Sequence, residues 1–280
     1  MIQTIIVFVI IGLIITGILV NPILVKRRRN LLKRRHFPPL WNAIIENNLP
    51  VYLYLSSEQR KRLQGHIQVF LTEKQFIGCG GLQVTEEMKL IIAAVACLLL
   101  LNERGQYFSK LRSILVYPST YIVKEISSIE KYVVIERNVA RLGESWVKDK
   151  LILSWEQVKQ DTLNWHDGRN VVLHEFAHQL DQEDGKAEGV PILGCDSDYL
   201  IWSEVMAQAY QKLYYDDYQD RTTVIDSYGA TNPAEFFAVV TETFFEKPHQ
   251  LLSSDAAVYH QLQSYYQLDP VEWNYPHPLK

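Results

Sequence analysis

Val171-Val172-Leu173-His174-Glu175-Phe176-Ala177-His178-Gln179-Leu180 is the stretch on which the reading of this chain turns. It holds an H-E-x-x-H pattern inside an apolar periodicity that predicts an amphipathic helix. Asn170 suits the cap at its start, and Gly185 suits the residue just past its end. Leu173, Phe176, Ala177 and Leu180 supply a packing face. His174 and His178, four apart, leave the helix from one other face and can approach a single ion. Glu175 sits beside them, placed to take a proton from a water bound to that ion without ligating the ion itself. Zinc suits two imidazoles and lowers the pKa of a bound water to about 7. An accidental match of this pattern in a chain of this length arises roughly once in a hundred.

A catalytic zinc takes a third protein ligand and keeps one open position. Three residues compete for that place. Asp184 lies six residues after His178, but Gln179-Leu180-Asp181 has no glycine to turn the chain, so the helix is expected to continue and aim Asp184 elsewhere. Glu204 lies 26 residues after His178 on an expected helix, and Glu235 lies 57 after it. Glu235 has the best local case. Asn232 as cap and Pro233 at the first helical position start a helix. Phe236, Val239, Val240 and Phe244 form one side of it, while Glu235, Ala238 and Glu242 share the other. Glu242, two turns on, is placed to hold the ring N–H of a metal-bound histidine.

Upstream of this pair of helices the pattern changes. Pro39 to Asn48 and Ser57 to Lys74 read as helices, with Ser57 and Glu58 at the start of the second. Gly78-Cys79-Gly80-Gly81 reads as a turn without phosphate-loop spacing. Thr85 can cap a following helix, and Leu90 to Leu101, apolar all round but too short to span a bilayer, reads as a buried core helix. Ser113–Tyr117, Lys131–Val139 and Trp146–Trp155 read as strands. The last of these, just before the metal helix, is the expected edge for an extended peptide to pair with. The body is therefore α+β, with strands in the middle and helices on both sides in sequence.

At the N-terminus, residues 1–25 carry no charge, and fourteen of the nineteen residues Ile2–Val20 are Ile, Leu, Val or Phe. Nineteen helical residues rise about 28 Å, the thickness of a hydrocarbon core. No basic residue precedes the run, and seven come after it between Lys26 and Arg35. That pattern predicts an uncleaved transmembrane anchor over 1–25, a basic juxtamembrane linker over 26–36 and a metallopeptidase domain over 37–280, on the cytoplasmic side. Setting the basic run aside leaves 21 basic against 32 acidic residues, so the body is acidic and no nucleic-acid partner is expected. Cys79, Cys97 and Cys195 form no C-x-x-C pair, which argues against a disulfide scaffold or a cysteine zinc site and fits a reducing compartment.

The chain resembles the Mlc titration factor A family of zinc-dependent peptidases. The resemblance rests on Phe37-Pro38-Pro39-Leu40-Trp41, Gly78 through Thr85 (GCGGLQVT), His174 through Gly185 (HEFAHQLDQEDG), Asn232 through Phe245 with its NPAEFFA, and Asp269 through Trp273. It implies a zincin fold of the gluzincin kind, mainly helical with a small mixed sheet; the one transmembrane helix read from residues 1–25 precedes that fold and is not part of the family's pattern. It implies zinc ligands at His174, His178 and Glu235, a general base at Glu175, and a tyrosine at Tyr228 whose hydroxyl can stabilise an oxyanion. The resulting expectation is a membrane-tethered, cytoplasm-facing zinc metallopeptidase, acting as an amino- or endopeptidase on a peptide or protein substrate. The alternative is a non-catalytic protein that sequesters a transcription factor at the membrane, the kind of partner the family name implies. Glu175 separates the two, since binding alone has no use for a non-ligating carboxylate beside the histidines.

Overall fold

The structure, a computed structural model, describes residues 2–103, 106–119, 122–123, 133–134 and 149–273, with the backbone alone for several positions in the first helix and for the two short strands 122–123 and 133–134. The two helices that bear the metal-site residues start where their caps dictate. Helix α6, Val171–Asp181, is capped by Asn170, whose side chain accepts from the Leu173 N–H. Helix α8, Pro233–Glu246, is capped by Asn232, whose side chain accepts from the Glu235 N–H at 3.0 Å, with Pro233 in the first turn. The two helices pack against each other and form the centre of the molecule.

Helix α4, Glu86–Leu98, lies behind α6, buried from Leu90 onward as its all-round apolarity requires. Thr85 caps it through the Met88 N–H. Helix α3, Ser57–Glu73, lies against α4. Its cap is Ser56, one residue before the expected start: Ser56 accepts from the Gln59 N–H and Gln59 returns a bond to the Ser56 N–H. Phe176 of α6 meets the rings of Phe70 and Phe108 at centroid distances of 5.6 and 4.7 Å, tying the metal helix to this layer. Helix α7, Asp196–Tyr218, and helix α10, Ala256–Tyr266, cover the far side of α8.

The sheet differs from expectation in its pairing and in its strands. Strands β1, Gln75–Gly78, β2, Ser113–Tyr117, and β5, Lys150–Ser154, form a three-stranded sheet in the order β1-β2-β5, with both pairings parallel. Among the described residues, antiparallel pairing is confined to a separate two-stranded ladder, β3, Ile122–Val123, with β4, Val133–Val134. The expected strand Lys131–Val139 is thus described only at 133–134, and its remainder lies outside the described residues. The expected strand over Trp146–Trp155 ends earlier: Ser154 caps helix α5, Trp155–Leu163, by accepting from the Gln157 N–H, so Trp155 is helical. Residues 146–148 of that stretch lie outside the described residues.

The N-terminal helix differs in extent from expectation. Among the described residues no helix is long and apolar enough to cross a membrane. Helix α1 runs unbroken over Ile2–Lys33, through the boundary expected at 25, with Pro22 inside it. The basic stretch stays helical because the body holds it. Leu32 is buried, Arg29 forms a bidentate pair with Glu73 at 2.9 and 2.8 Å, and Gly65 on α3 lies close beneath Lys33. A position 65 side chain would press on Lys33 at 3.3 Å, so glycine permits the close crossing of α1 and α3.

Candidate metal centre

Three side-chain atoms converge where α6 faces α8. His174 Nε2 lies 3.0 Å from Glu235 Oε2, His178 Nε2 lies 3.2 Å from His174 Nε2, and His178 Nε2 lies 3.3 Å from Glu235 Oε2. His174, His178 and Glu235 form the one His/Cys/Asp/Glu group among the described residues that can hold a metal ion. Four ligands set tetrahedrally about 2.0–2.1 Å from one zinc stand about 3.3–3.4 Å apart, close to the edges of this triangle.

The charge balance fits a cation as well as the spacing does. His174 Nδ1 lies 2.7 Å from Glu242 Oε1 while its Nε2 meets a carboxylate oxygen and a second imidazole nitrogen, so one positive charge, a ring proton or a metal ion, belongs among these atoms. Three electron-rich atoms in contact are stable only around positive charge. Burial works against a charged His174, but the bonds to Glu235 and Glu242 outweigh it and hold its pKa well above the usual value. The Glu235 carboxyl, although burial raises it, is driven far below the usual range by the two histidines. The residues present therefore fit a zinc-type ion: two nitrogens and one oxygen, partly exposed, with a carboxylate behind one ring.

Sequence order aims each of these residues through its helix. The acidic stripe of α8 does not face water: Glu235 and Glu242 are each 6% exposed and Glu246 2%. Glu175 is half-buried on the same turn as His174. Tyr228 lies in a short 3-10 turn, Ser227–Ala230, with its ring 6.0 Å from the His174 ring. The other two candidates for third ligand point elsewhere. Asp184 comes after the end of α6 and accepts from the Lys186 N–H. Glu204 is exposed on α7 and accepts from Gln208. Helix α6 does run on through Asp181 and ends at Gln182, while Gly185, expected just past its end, instead closes the following 3-10 turn Gln182–Asp184 with a φ of 109°.

A set of buried carboxylates at the start of α6 has no counterpart in the expectations. Glu242 Oε2 accepts from the Asn170 N–H at 2.5 Å. Glu246 Oε2 accepts from the Gly168 and Arg169 N–H groups, each at 3.0 Å, and its Oε1 accepts from the Asn170 side chain. Asp161 accepts from the Val171 N–H at 2.8 Å and from Gln157. Glu242 and Asp161 thus take the N–H groups of the cap and the first helical residue, Glu246 holds the two residues before the cap, and together they fix the start of the helix that carries both histidines. Burial pushes the Asp161 carboxyl up to about 6, against the pull of its two hydrogen bonds, and raises Glu246 well above the ordinary range. Glu246 had a signal in the sequence, since it extends the Glu235–Glu242 stripe by one more turn. Asp161 had none, because it comes from a different helix. Asp181 ties the other end of α6, accepting from the Val190 N–H at 2.8 Å.

Comparison with known proteins gives the family. The family model described as glucose-regulated metallo-peptidase M90 matches residues 24–267. The chain belongs to this M90 metallopeptidase family. An uncharacterized protein of Synechocystis sp. is 47% identical over 245 residues, covering 87% of this chain and 89% of that protein. Proteins named Mlc titration factor A from Yersinia pestis and Yersinia pseudotuberculosis are each 30% identical over 232 residues, covering 80% of this chain and 83% of theirs. The resemblance to the Mlc titration factor A family is thereby established over most of the M90 match.

Proposed function

We propose that this M90 member is a zinc-dependent peptidase that hydrolyses peptide bonds with an activated water, tethered to the membrane through its N-terminal segment with the body in the cytoplasm. The observation that carries this reading is the triangle of His174, His178 and Glu235, backed by Glu242. A zinc ion held there supplies the Lewis acidity that polarises a peptide carbonyl and acidifies a water. Glu175, half-buried on the metal helix, takes the proton from the attacking water and passes it to the leaving amine. Tyr228, beside the His174 ring, donates its hydroxyl hydrogen to the developing oxyanion. Glu242 keeps the His174 proton on Nδ1 and so keeps Nε2 free.

The tether rests on the uncharged residues 1–25 and the seven Lys and Arg directly after them. That charge asymmetry keeps the C-terminal body on the cytoplasmic side and places basic side chains against anionic headgroups. A peptide or protein is the substrate class. The name of the Yersinia relatives supports a second reading, in which the body binds a transcriptional regulator.

The deciding experiment uses purified full-length chain, assayed for metal content and for cleavage of a mixed peptide library. The chain is expected to hold one zinc and to cleave peptides. Glu175→Gln is expected to keep zinc and fold while losing cleavage by about a hundredfold or more. A zinc-loaded Glu175→Gln protein that cleaves as fast as the parent sinks the mechanism. A zinc-loaded parent that cleaves nothing favours the regulator-binding reading.

A further inference from the structure

The peptidase reading leaves open how Tyr228 is kept at the metal centre, since it comes from neither metal helix. Its short 3-10 turn begins at Asp226, whose Oδ1 accepts from the Tyr228 N–H at 2.9 Å and whose backbone carbonyl accepts from the Gly229 N–H. The other oxygen of the same carboxylate, Oδ2, accepts from Arg169 twice, from Nε at 2.9 Å and from a terminal guanidinium nitrogen at 2.6 Å. Arg169 directly precedes Asn170, the cap of the metal helix, and its own N–H is fixed by Asp167 and by buried Glu246. The chain of bonds is thus continuous: Glu246 holds the Arg169 backbone, Arg169 holds Asp226, and Asp226 holds the Tyr228 backbone. On its other side the turn rests on α7 and α8, where a side chain at position 229 would meet Leu213 at 3.1 Å and Val239 at 3.4 Å, and where Tyr210 donates to the Ala230 carbonyl.

We propose that Arg169 is a positioning residue, clamping the Tyr228 turn to the N-terminus of the metal helix through Asp226. Packing on α7 and α8 sets the height of the turn, while the Arg169–Asp226 pair sets its distance from the helix that carries His174. The guanidinium fork suits this task, because two donors on one carboxylate oxygen restrict rotation more than a single ammonium does. The Arg169 end of the clamp is held by Glu246, one of the buried carboxylates at the start of the metal helix, so the tyrosine turn is tied to the frame of that helix. This inference rests on the peptidase reading for its consequence in catalysis, but its geometric content can be tested without activity.

The test compares full-length parent, Arg169→Ala and Arg169→Lys by backbone hydrogen exchange and by peptide cleavage. In Arg169→Ala the Tyr228 and Gly229 amides are expected to exchange at least about fivefold faster while residues 171–181 keep their protection. Arg169→Lys should restore most of that protection. In cleavage, Arg169→Ala should lower kcat about tenfold with KM nearly unchanged, and should cost little more when added to Tyr228→Phe. Unchanged exchange at Tyr228 and Gly229 overturns the clamp, as does loss of protection spread equally over 171–181. Fully additive effects of Arg169→Ala and Tyr228→Phe on kcat overturn it too. A parent without peptidase activity counts against the peptidase reading alone, and exchange then decides the clamp.

Discussion

At the scale of single residues, the centre depends on atoms that lie within 3.3 Å of one another and on one carboxylate behind them. Glu242 is almost fully buried and divides its two oxygens between the His174 ring and the Asn170 N–H. Glu242→Gln preserves the shape but puts an amide where the ring N–H needs a full acceptor charge. Zinc affinity should fall about 10- to 100-fold, read by competition with a chelator, while Asp184→Ala and Glu204→Ala should leave it unchanged. Loss of zinc in either of those two variants would refute Glu235 as the third ligand. Glu235 was legible as a candidate from its cap and helix face. The preference for it over Asp184 and Glu204 was legible too, from that local case and from the resemblance, but its distance from the histidines was not, because spacing along a chain does not say how closely α8 returns to α6.

At the scale of elements, two helices must meet at a set distance, and a glycine loop sets it. Gly189 has a φ of 76°, and a Cβ there would stand 2.3 Å from the Pro233 carbonyl oxygen, in the first turn of α8. Its own carbonyl accepts from Trp202 Nε1, and Asp181 at the end of α6 accepts from the adjacent Val190 N–H. The loop therefore joins the end of one metal helix to the start of the other. Gly189→Ala adds both backbone strain and a clash with backbone, which side-chain motion cannot relieve. The expected result is a loss of about 2 kcal/mol or more in unfolding free energy, with weakened zinc binding, measured by denaturant titration with and without zinc. The NPAEFFA start of α8 was readable from Asn232 and Pro233. The role of Gly189 was not, since its partner lies 44 residues away in the chain.

At the scale of the whole molecule, α1 is built into the body rather than hung from it. Arg29 and Lys33 reach over the Tyr107 ring, and Tyr107 bonds His66 Nδ1 at 2.7 Å on buried α3. Burial, with Lys33 and Arg62 adding to it, lowers the His66 pKa from 6.5 to about 3. The folded chain thus keeps His66 neutral while the unfolded chain takes up a proton below about pH 6.5. The contribution is fully present above that pH and is lost as pH falls toward 3. Stability should drop over this window, by up to a few kcal/mol, more steeply in the parent than in His66→Gln. Parallel acid titrations of unfolding check this, and identical slopes would remove His66 from the account. The tether is tested at the same scale by a reporter fused after Lys280, expected to be active only in the cytoplasm. Activity only outside the membrane, or a mature chain that begins after about residue 25, would overturn the orientation or the anchor.

The sequence by itself determined the local features: the metal helix with its cap, the second helix with its capped start, and the all-apolar core helix. Each depends on contacts within a few residues, where periodicity and capping are written directly in the order of side chains. The family was legible for the same reason, since HEFAHQLDQEDG and NPAEFFA are contiguous. Only the tertiary structure decided how closely Glu235 meets the two histidines, that the sheet pairs in parallel, that α1 continues past residue 25, and that Asp161, Glu242 and Glu246 converge on one helix end. Those facts join residues far apart in the chain, such as His174 with Glu235 and Gly168 with Glu246. Pairings at that range are set by how buried faces find one another, and a linear pattern carries each face but not its partner.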